Sequence, residues 1–272
     1  MRGDALTAAI PPLRPDQPPL AILVDYDGTI ALTDVSDTIM AEFATGEWEE
    51  MAARYDAGLV GSRRLMELEM ELLGSIDPAQ LAATAAAQPH DAGFPPLVAR
   101  AREAGIPVEV VSDGYGFFIP PALGSLGLGD LPIVTAETTF PGGRARIAFP
   151  NGHPECFVCG TCKRNRVLAH QAAGRAVVFV GDGESDRYAA GYADIVFAKH
   201  SLVRLCLENG WPFRRWTEFI EIDAWLAGTL EEWRSDPRTV PPPTVHSFFC
   251  GPEVWGSGLW DPPPPREGRH SP

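Results

Sequence analysis

Short hydrophobic runs alternate with longer amphipathic stretches through the central part of this sequence. Each run is almost continuously apolar, which is typical of strands that are buried on both faces of a parallel sheet. The predicted strands are residues 20–24, 106–111, 176–180 and 194–197. Helical periodicity predicts helices at residues 94–104, 115–126, 163–173, 184–190 and 201–209. Strands that alternate with helices predict an α/β fold with a Rossmann-like, doubly wound and mostly parallel sheet.

Two stretches depart from this alternation. Residues 34–92 contain no convincing strand, and the apolar spacing there indicates several amphipathic helices. The predicted helices are residues 33–44, 47–55, 62–73 and 78–87. A helical insert directly after the first strand should lie over the carboxyl edge of the sheet, as a cap, or lid, does. In residues 133–149, Pro141-Gly142-Gly143 separates two β-like runs, so we expect a hairpin there.

These patterns divide the chain into four predicted parts. Residues 1–18 form a flexible, Pro-rich arm, residues 19–33 and 93–235 form the α/β core, and residues 34–92 form the helical cap. Residues 236–272 form a Pro-rich tail whose aromatic side chains should pack on its own domain or on a neighbouring subunit. The apolar content of the tail and the cap favours a homodimer.

The most informative polar residues follow the first predicted strand directly. Asp25 and Asp27 should lie at the carboxyl edge of the sheet, and Gly28 allows a sharp turn between them and Thr29. A carboxylate fixed beside a divalent cation can attack a phosphoryl group. A second carboxylate can protonate the leaving oxygen and then activate water. A single Asp-Gly usually marks only a turn, so this interpretation depends on partners further along the chain.

The second predicted strand and a later helix supply groups that suit a phosphate. Ser112 and Gly114 follow residues 106–111, where a hydroxyl and free backbone N–H groups could bind phosphoryl oxygens. Lys163 begins a predicted helix and could neutralise phosphoryl charge. In isolation the first motif is usually an ordinary helix cap and the lysine a surface residue.

The third predicted strand supplies two more carboxylates. Asp182 follows residues 176–180 and could bind one hard cation together with Asp25. Asp186 lies one helical turn later, where it could hold Lys163 or a metal-bound water, or simply complement the helix dipole. Ligands of doubly wound sheets bind at the carboxyl edge of the strands, and all of these motifs lie there. Their common position favours the chemical interpretation.

Composition restricts the function classes. The chain has 272 residues, of which 45% are hydrophobic and 21% charged, and these values are ordinary for a globular protein. The net charge of −14 argues against nucleic acid and anionic membranes as partners. Such acidity does not suit a phosphate substrate either, so a metal cation is expected. The sequence has neither a signal-peptide pattern nor an apolar run near the ~20 residues that span a bilayer, which predicts a cytoplasmic protein.

Taken together, these motifs resemble those of the haloacid dehalogenase superfamily of phosphohydrolases. The resemblance covers about residues 19–235, and the position of the cap is similar to that in the phosphoserine phosphatase-like branch. It implies that Asp25 is the nucleophile, that Asp27 is the acid and base, and that Ser112 and Lys163 hold the phosphoryl group. It also implies Mg²⁺ bound by Asp25, the backbone carbonyl of Asp27, and Asp182.

A finer resemblance is to the methionine-salvage phosphatases that act on a 2-hydroxy-3-keto-5-methylthiopentenyl phosphate. It rests on residues 112–118 and on the Cys-rich segment before Lys163. Phosphoethanolamine and phosphocholine phosphatases resemble this segment too, so the substrate stays open. Asp113 and Tyr115 are candidate specificity residues, because the phosphate-binding turn carries them. Weaker candidates in the cap are Asp37, Glu47, Trp48, Arg54 and Arg63.

The predicted function is that of a Mg²⁺-dependent phosphomonoesterase that hydrolyses a small metabolite through an aspartyl-phosphate. A phosphotransferase would form the same intermediate and use an alcohol in place of water, and nothing in the sequence separates the two. A third alternative is a catalytically silent protein that binds a phosphorylated metabolite. The intact pair of Asp25 and Asp27 argues against that alternative.

A histidine and three cysteines recur at every third position before Lys163. They are His153, Cys156, Cys159 and Cys162. Thiolates and imidazole are a plausible Zn²⁺ set, but structural zinc sites usually take paired ligands from two separated segments. The pattern therefore favours packed thiols, or a disulfide formed on oxidation, over a structural metal. Five cysteines suit a reducing compartment, and Cys206 and Cys250 are expected to pack as small hydrophobic residues.

Overall fold

The computed structural model describes residues 9–74, 76–153 and 156–244. Within these residues, seven strands form one sheet. They are β1 (Leu20–Val24), β2 (Val108–Tyr115), β3 (Ile133–Thr139), β4 (Arg146–Ala148), β5 (Ala176–Gly181), β6 (Ile195–Ala198) and β7 (Arg214–Arg215). Their order is β4-β3-β2-β1-β5-β6-β7, and every neighbouring pair is parallel except β3 with β4. The predicted α/β fold with a mostly parallel sheet is confirmed.

Helices connect the strands and lie on both faces of the sheet. Four of them lie within residues 34–92, as predicted: α1 (Val35–Phe43), α2 (Glu49–Asp56), α3 (Ser62–Leu72) and α4 (Pro78–Ala86). The remaining helices are α5 (Phe94–Glu103), α6 (Ile119–Ser125), α7 (Lys163–Ala172), α8 (Arg187–Ala190), α9 (His200–Asn209) and α10 (Phe219–Ser235). None of the helices in the described ranges is both long and apolar enough to cross a membrane.

The strand β1 shows how the two faces of the sheet are covered. Leu20, Ile22 and Val24 belong to one core, which includes buried residues of α5 and α10. Leu23 belongs to a second core, to which α7 and α8 contribute Val167 and Ala189. Successive strand residues point to opposite faces, so a strand covered on both faces is apolar throughout. This is why residues 20–24 lack a polar position.

The prediction for the end of β2 is wrong. The sequence predicts a strand at residues 106–111 and a helix at 115–126, but β2 continues to Tyr115 and α6 begins only at Ile119. Beyond Val111 the strand keeps pairing with β3 after a register shift, and Tyr115 lies opposite Ala136. The helix starts where two prolines can occupy its first turn, which tolerates a missing backbone N–H. Ser112 therefore lies in an irregular part of a strand and not at a helix start.

The sequence pattern predicts no element at residues 210–235, although β7 and α10 lie there. The side chains of Phe219, Ile222 and Leu226 on α10 are completely buried. Asp223 accepts hydrogen bonds of 2.6 and 2.9 Å from Arg100 of α5. The helix contains a glycine and several residues of low helix propensity, so packing against α5 decides its conformation. Propensity alone does not reveal such a helix.

The predicted hairpin at residues 133–149 corresponds to β3 and β4. These strands are antiparallel, with Thr138 opposite Ile147, and they extend the edge of the sheet. At the other end of the chain, Thr244 donates a hydrogen bond of 2.7 Å from its N–H to Asp194. The aromatic residues of the predicted tail and Cys250 lie outside the described residues.

Candidate active site

The carboxyl ends of β1, β2 and β5 meet at one edge of the sheet. Val24 of β1 lies opposite Val110 of β2 and Val180 of β5. The next residue of the chain, Asp25, still donates its backbone N–H to the carbonyl of Val180 at 2.9 Å. The polar residues at these three strand ends are therefore neighbours in space, as expected for a doubly wound sheet, which binds ligands at the carboxyl edge of its strands.

Asp25 forms a buried ion pair with Lys163. The distance from Asp25 Oδ1 to Lys163 Nζ is 2.7 Å, and both side chains are almost inaccessible to solvent. Lys163 begins α7, so a helix on one face of the sheet delivers this cation to the end of β1. A cation this close favours the ionised form of the carboxylate, which is the form that a nucleophile needs.

Asp186 and Ser185 hold the amine of Lys163 from the other side. Lys163 Nζ donates to Asp186 Oδ1 at 2.7 Å and to Ser185 Oγ at 2.9 Å. Burial alone would lower the pKa of Lys163, but the carboxylates of Asp186, Asp25 and Asp113 outweigh it and raise that pKa above its ordinary value. Lys163 is therefore a permanent cation beneath the predicted phosphate position.

Three carboxylates form an acidic group beside Lys163. Asp25, Asp182 and Asp186 each offer an oxygen atom, and these atoms all lie within 4.8 Å of one another. Burial and then repulsion from Asp186 raise the pKa of both Asp25 and Asp182. A set of oxygen donors that repel one another fits a hard divalent cation such as Mg²⁺. Among the described residues, this is the one His, Cys, Asp or Glu group that converges in this way.

Gly28 lets the backbone after β1 approach Asp182 closely. Its φ angle is +64°, and a Cβ built on it would lie 2.3 Å from Asp182 Oδ2. A side chain at position 28 would displace that carboxylate. Thr29 then donates a hydrogen bond of 3.1 Å to Asp182 Oδ1, which fixes the carboxylate from the same turn.

Asp27 lies in a different environment from Asp25. Its Oδ1 accepts a hydrogen bond of 2.9 Å from the backbone N–H of Val35, at the start of α1. Burial, followed by repulsion from Asp34, raises the pKa of Asp27 well above its ordinary value. A raised pKa favours a protonated carboxyl group, which can act as a general acid.

Ser112 and Gly114 lie beside these carboxylates in the irregular end of β2. The backbone N–H of Gly114 donates to Ser112 Oγ at 2.8 Å, and Ser112 is completely buried. A Cβ at Gly114 would lie 2.6 Å from Asp27 Oδ2, so this position also requires glycine. The structure thus brings together Asp25, Asp27, Ser112, Gly114, Lys163, Asp182 and Asp186, all of which the sequence singles out.

A cavity of about 120 Å³ opens between the strand ends and the helices α1, α2 and α3. From the sheet side it is lined by Asp25, Asp27, Ser112, Asp113, Gly114 and Ser185. From the helical side it is lined by Asp34, Ser36, Asp37, Ala52, Tyr55, Asp56, Ser62, Leu65, Met66 and Glu69. A reacting group bound here would touch the paired carboxylates and would be covered by the helical insert.

Comparison with known proteins identifies the family. A family model described as haloacid dehalogenase-like hydrolase matches residues 22–191, which is more than half of the chain. The chain belongs to this family. The matched residues include Asp25, Asp27, Lys163, Asp182 and Asp186. The family resemblance inferred from the motifs, and the phosphatase class that it implies, are confirmed.

Two relatives with curated names are phosphatases. The chain is 31% identical over 210 residues to a 2-hydroxy-3-keto-5-methylthiopentenyl-1-phosphate phosphatase of Geobacillus kaustophilus, covering 75% of this chain and 93% of the relative. It is 29% identical over 209 residues to a protein of the same name from Brevibacillus brevis, with the same coverage. A phosphoserine phosphatase solved as a phospho-aspartyl intermediate analogue shares the fold, with a TM-score of 0.57 and 16% identity over 79% of this chain and 99% of that one.

Two of the predicted specificity residues contact α3 of the helical insert. Ser62 Oγ donates a hydrogen bond to Asp113 Oδ2, and the backbone N–H of Thr161 donates to Asp113 Oδ1. Tyr115 is completely buried, and its hydroxyl donates to the carboxylate of Glu69. Asp113 lines the cavity, whereas Tyr115 lies behind Glu69 and is absent from the lining. Both residues connect the helical insert to β2.

The structure places one of the five weaker cap candidates at the cavity. Asp37 lines the cavity, whereas Glu47, Trp48, Arg54 and Arg63 are absent from its lining. The guanidinium of Arg63 lies 4.7 Å from the ring centroid of Phe149 and pairs with Glu67. Its position is explained by packing between α3 and the chain after β4.

Sequence reasoning missed several residues of the site. His200 Nδ1 lies 3.1 Å from Asp182 Oδ2, and its φ angle of 45° is rare for a residue with a side chain. His200 lies two residues after the end of β6, at the carboxyl edge of the sheet where doubly wound sheets bind their ligands, so its position in the sequence could have indicated it. His200 is absent from the cavity lining, whereas Asp34, Tyr55, Asp56 and Glu69 belong to it. They have no such signal, because helix packing alone brings them to the cavity.

The cysteine run lies beside Lys163 but does not converge on a point. Within the described residues, Cys156, Cys159, Cys162 and Cys206 are not joined by disulfide bonds. His153 Nδ1 accepts a hydrogen bond of 3.1 Å from the backbone N–H of Cys156. Among the described residues, the four predicted ligands do not form a group like that of the three carboxylates. Cys206 is buried among aliphatic side chains of α9, as expected for a packing residue. Packed thiols, or a disulfide formed on oxidation, stay the prediction for this run, and a structural zinc site stays its alternative.

Proposed function

We propose that this chain is a Mg²⁺-dependent phosphomonoesterase that hydrolyses a small phosphorylated metabolite. The observation that carries the proposal is the contact of 2.7 Å between Asp25 and Lys163 beside the carboxylates of Asp182 and Asp186. The named phosphatases among the relatives support the same reaction class. Mg²⁺ would be held by Asp25, Asp182 and the backbone carbonyl of Asp27, and when bound it offsets the charge of the carboxylates and the phosphoryl oxygens.

In the first step, a carboxylate oxygen of Asp25 attacks phosphorus and the bond from phosphorus to the substrate alcohol breaks. Lys163 lowers the pKa of Asp25 against the larger effect of burial and attracts the phosphoryl oxygens, and Ser112 donates a hydrogen bond to them. Asp27 gives its proton to the leaving alcohol oxygen. The burial that raises the pKa of Asp27 favours the protonated form that this step requires. The product of this step is an aspartyl-phosphate on Asp25.

In the second step, Asp27 is a carboxylate and accepts a proton from water. The water oxygen attacks phosphorus, the acyl-phosphate bond breaks, and Asp25 and inorganic phosphate are released. The proton that Asp27 takes here replaces the one that it gave to the alcohol. One carboxyl group therefore serves both steps, because the leaving alcohol and the attacking water occupy the same side of the phosphoryl group.

We further propose that residues 34–92 act as a cap over this site. The helices α1, α2 and α3 contribute most of the cavity wall, and a closed cap excludes bulk solvent while Asp25 attacks phosphorus. The names of the relatives suggest 2-hydroxy-3-keto-5-methylthiopentenyl phosphate and phosphoserine as the first substrates to assay.

The test is phosphate release from p-nitrophenyl phosphate and from a panel of phosphorylated metabolites. Protein dialysed against EDTA should be inactive, and Mg²⁺ should restore activity. Ca²⁺ should support little turnover, because its larger and looser coordination shell binds the nucleophile unproductively. Full activity of the metal-free protein would contradict the proposal. Addition of acceptor alcohols separates a phosphatase, which releases only phosphate, from a phosphotransferase, which forms new phosphate esters.

A further inference from the structure

The carboxylate of Asp182 is held from both of the strands that flank β5. Asp182 follows β5 directly, and β5 lies between β1 and β6 in the sheet. On the β1 side, Thr29 donates a hydrogen bond of 3.1 Å to Oδ1 of Asp182. On the β6 side, Nδ1 of His200 lies 3.1 Å from Oδ2. Each oxygen of this carboxylate therefore has its own partner.

These two contacts fix the orientation of the carboxylate and leave room for a cation. An ionised carboxylate only accepts hydrogen bonds, so Nδ1 of His200 carries the hydrogen in this contact. An aspartate carboxylate otherwise turns broadly about its last torsion angle, and two donors on different oxygens restrict that rotation. A carboxylate has about four lone-pair positions. Two accepted hydrogen bonds therefore leave others for a metal ion.

The backbone of His200 is strained. Its φ angle is 45°, and at every other position with a positive φ in the described parts of the chain the residue is glycine. A residue with a Cβ keeps such a conformation only where the surrounding structure holds it. Here the backbone N–H of Lys199 donates to the carbonyl of Gly181 at 3.3 Å, and that of Leu202 donates to the carbonyl of Asp182 at 2.8 Å. The chain is thus tied to the end of β5 on both sides of His200.

Burial does not hold the imidazole ring in place. The side chain of His200 is 63% exposed, so water competes for its N–H. The contact with Asp182 therefore depends on the direction in which the backbone points the ring. Glycine would adopt this φ angle without strain, so the local fold alone favours glycine at position 200. Backbone strain of this kind is concentrated at functional sites, and here the strained residue contacts one of the three converging carboxylates.

We propose that His200 is a positioning residue, which donates a hydrogen bond from Nδ1 to Asp182 and holds this carboxylate in the orientation that binds the divalent cation. The inference rests on the proposed function, because Asp182 is a ligand only if the site binds Mg²⁺. His200 is absent from the cavity lining, so it acts through Asp182 and not on the substrate. Hydrogen-bond partners of metal ligands typically contribute 10- to 100-fold to metal affinity.

The test measures the binding of Mg²⁺ alone. MgCl₂ is added to protein dialysed against EDTA, at an ionic strength kept constant with NaCl, and the shift of the unfolding temperature gives an apparent Kd. His200→Gly removes the imidazole and relieves the backbone strain. The Kd of this variant for Mg²⁺ should be about 10- to 100-fold higher. Its unfolding temperature without metal should stay close to that of the wild type, which excludes general damage to the fold.

A conservative variant should restore the affinity. Asparagine tolerates a positive φ, and its Nδ2, like Nδ1 of histidine, is bonded to Cγ. The N–H of His200→Asn can therefore reach the same carboxylate, and its Kd for Mg²⁺ should be close to the wild-type value. Leu207→Ala is the matched control, because it changes an exposed residue of the same helix, α9, and should leave Kd unchanged.

Hydrolysis of p-nitrophenyl phosphate supplies a second readout. In His200→Gly, the MgCl₂ concentration that gives half of the maximal rate should rise by a larger factor than kcat at saturating MgCl₂ falls. This difference is expected because His200 contacts a ligand of the cation and no reacting atom. A merely structural residue would lower kcat and the unfolding temperature together.

The outcomes separate the inference from the proposed function. A wild-type protein without a shift specific to MgCl₂ would overturn both. A wild-type shift with an unchanged Kd in His200→Gly would overturn the inference alone, and so would tighter binding by the variant, since His200 would then compete with the cation. Equal losses of affinity in the glycine and asparagine variants would also overturn it, because the donated hydrogen bond would not be what holds the carboxylate.

Discussion

Asp25 and Asp27 differ in their surroundings although only one residue separates them. Asp25 contacts Lys163, whereas Asp27 accepts a backbone hydrogen bond at the start of α1. Asp25→Asn should abolish turnover, because an amide cannot attack phosphorus. Asp27→Asn should lower kcat for alkyl phosphates by about 10²- to 10⁴-fold, the usual contribution of general acid–base catalysis. The loss for p-nitrophenyl phosphate should be smaller, because its leaving group needs no proton.

Mass spectrometry of Asp27→Asn protein, quenched during turnover of the aryl substrate, should detect phosphate on Asp25, since breakdown of the intermediate lacks its base. Asp16→Asn, which changes an exposed residue, serves as control. Equal losses for aryl and alkyl substrates, with no trapped phosphate, would show that the roles are assigned wrongly.

At the residue scale, the sequence predicts those site residues that follow strands. Asp25, Ser112 and Asp182 come directly after apolar runs that predict strands. Because the carboxyl ends of parallel strands meet at one edge of the sheet, the sequence is sufficient to predict that these residues lie close together. Asp37 and Asp56 have no comparable signal. They are exposed charges on amphipathic helices, and only the angle at which those helices pack on the sheet turns them toward the cavity.

At the element scale, α3 carries both polar contacts that connect the helical insert to β2. Burial raises the pKa of Glu69 to about 8, against an ordinary value of 4.5. Between these values the folded chain binds a proton that the unfolded chain has lost, so the free energy of unfolding falls as pH rises from about 4.5 to about 8. Glu69→Gln is neutral throughout and still accepts the hydrogen bond from Tyr115. The variant should therefore lose less stability over this range than the wild type.

Thermal unfolding at pH 5 and pH 8, with EDTA present, measures this difference. One pKa unit corresponds to about 1.36 kcal/mol, so the change is on the order of a few kcal/mol. Glu71→Gln changes an exposed residue of the same helix and should retain the wild-type pH dependence. If Glu69→Gln and the wild type lose the same stability between the two pH values, Glu69 is not protonated in the folded chain.

The elements that were predicted correctly are those whose pattern is decided locally. Continuous apolar runs predict β1 and β5, and amphipathic spacing predicts α1 to α4 within a few residues. The extension of β2 past Val111 and the helix α10 depend on partners distant in sequence. β3 supplies the hydrogen bonds that keep Tyr115 in the strand, and α5 supplies the apolar surface that α10 covers. A single-sequence pattern contains neither partner.

At the scale of the whole molecule, the alternation of strands and helices along the sequence predicts a parallel sheet but does not predict the order of its strands. β1 lies in the centre, between β2 and β5. From β1 the chain adds β2, β3 and β4 on one side, and it then returns to add β5, β6 and β7 on the other side. This reversal opens the crevice at the carboxyl edge, where a doubly wound sheet binds its ligand. The same arrangement concentrates Asp25, Asp182 and Asp186 at one point in a chain whose net charge is already −14.

This concentration of charge links metal binding to the stability of the whole molecule. The three carboxylates repel one another in the metal-free protein, and a cation that binds only the folded chain stabilises it. Thermal unfolding after dialysis against EDTA should therefore shift upward on addition of MgCl₂. At a free concentration 100-fold above Kd the gain is about 2.7 kcal/mol, or roughly 5–10 °C for a chain of this size.

A NaCl solution of equal ionic strength controls for screening of the net charge and should produce a smaller shift. Asp182→Asn separates the two effects, because it removes one ligand and one of the repelling charges. The variant should unfold at a higher temperature than the wild type without metal, and it should lose the response that is specific to MgCl₂. Its amide still accepts the hydrogen bond from Thr29, so the turn that contains Gly28 is preserved. A variant that is less stable without metal, or that responds to MgCl₂ as the wild type does, would show that this acidic group does not bind the cation.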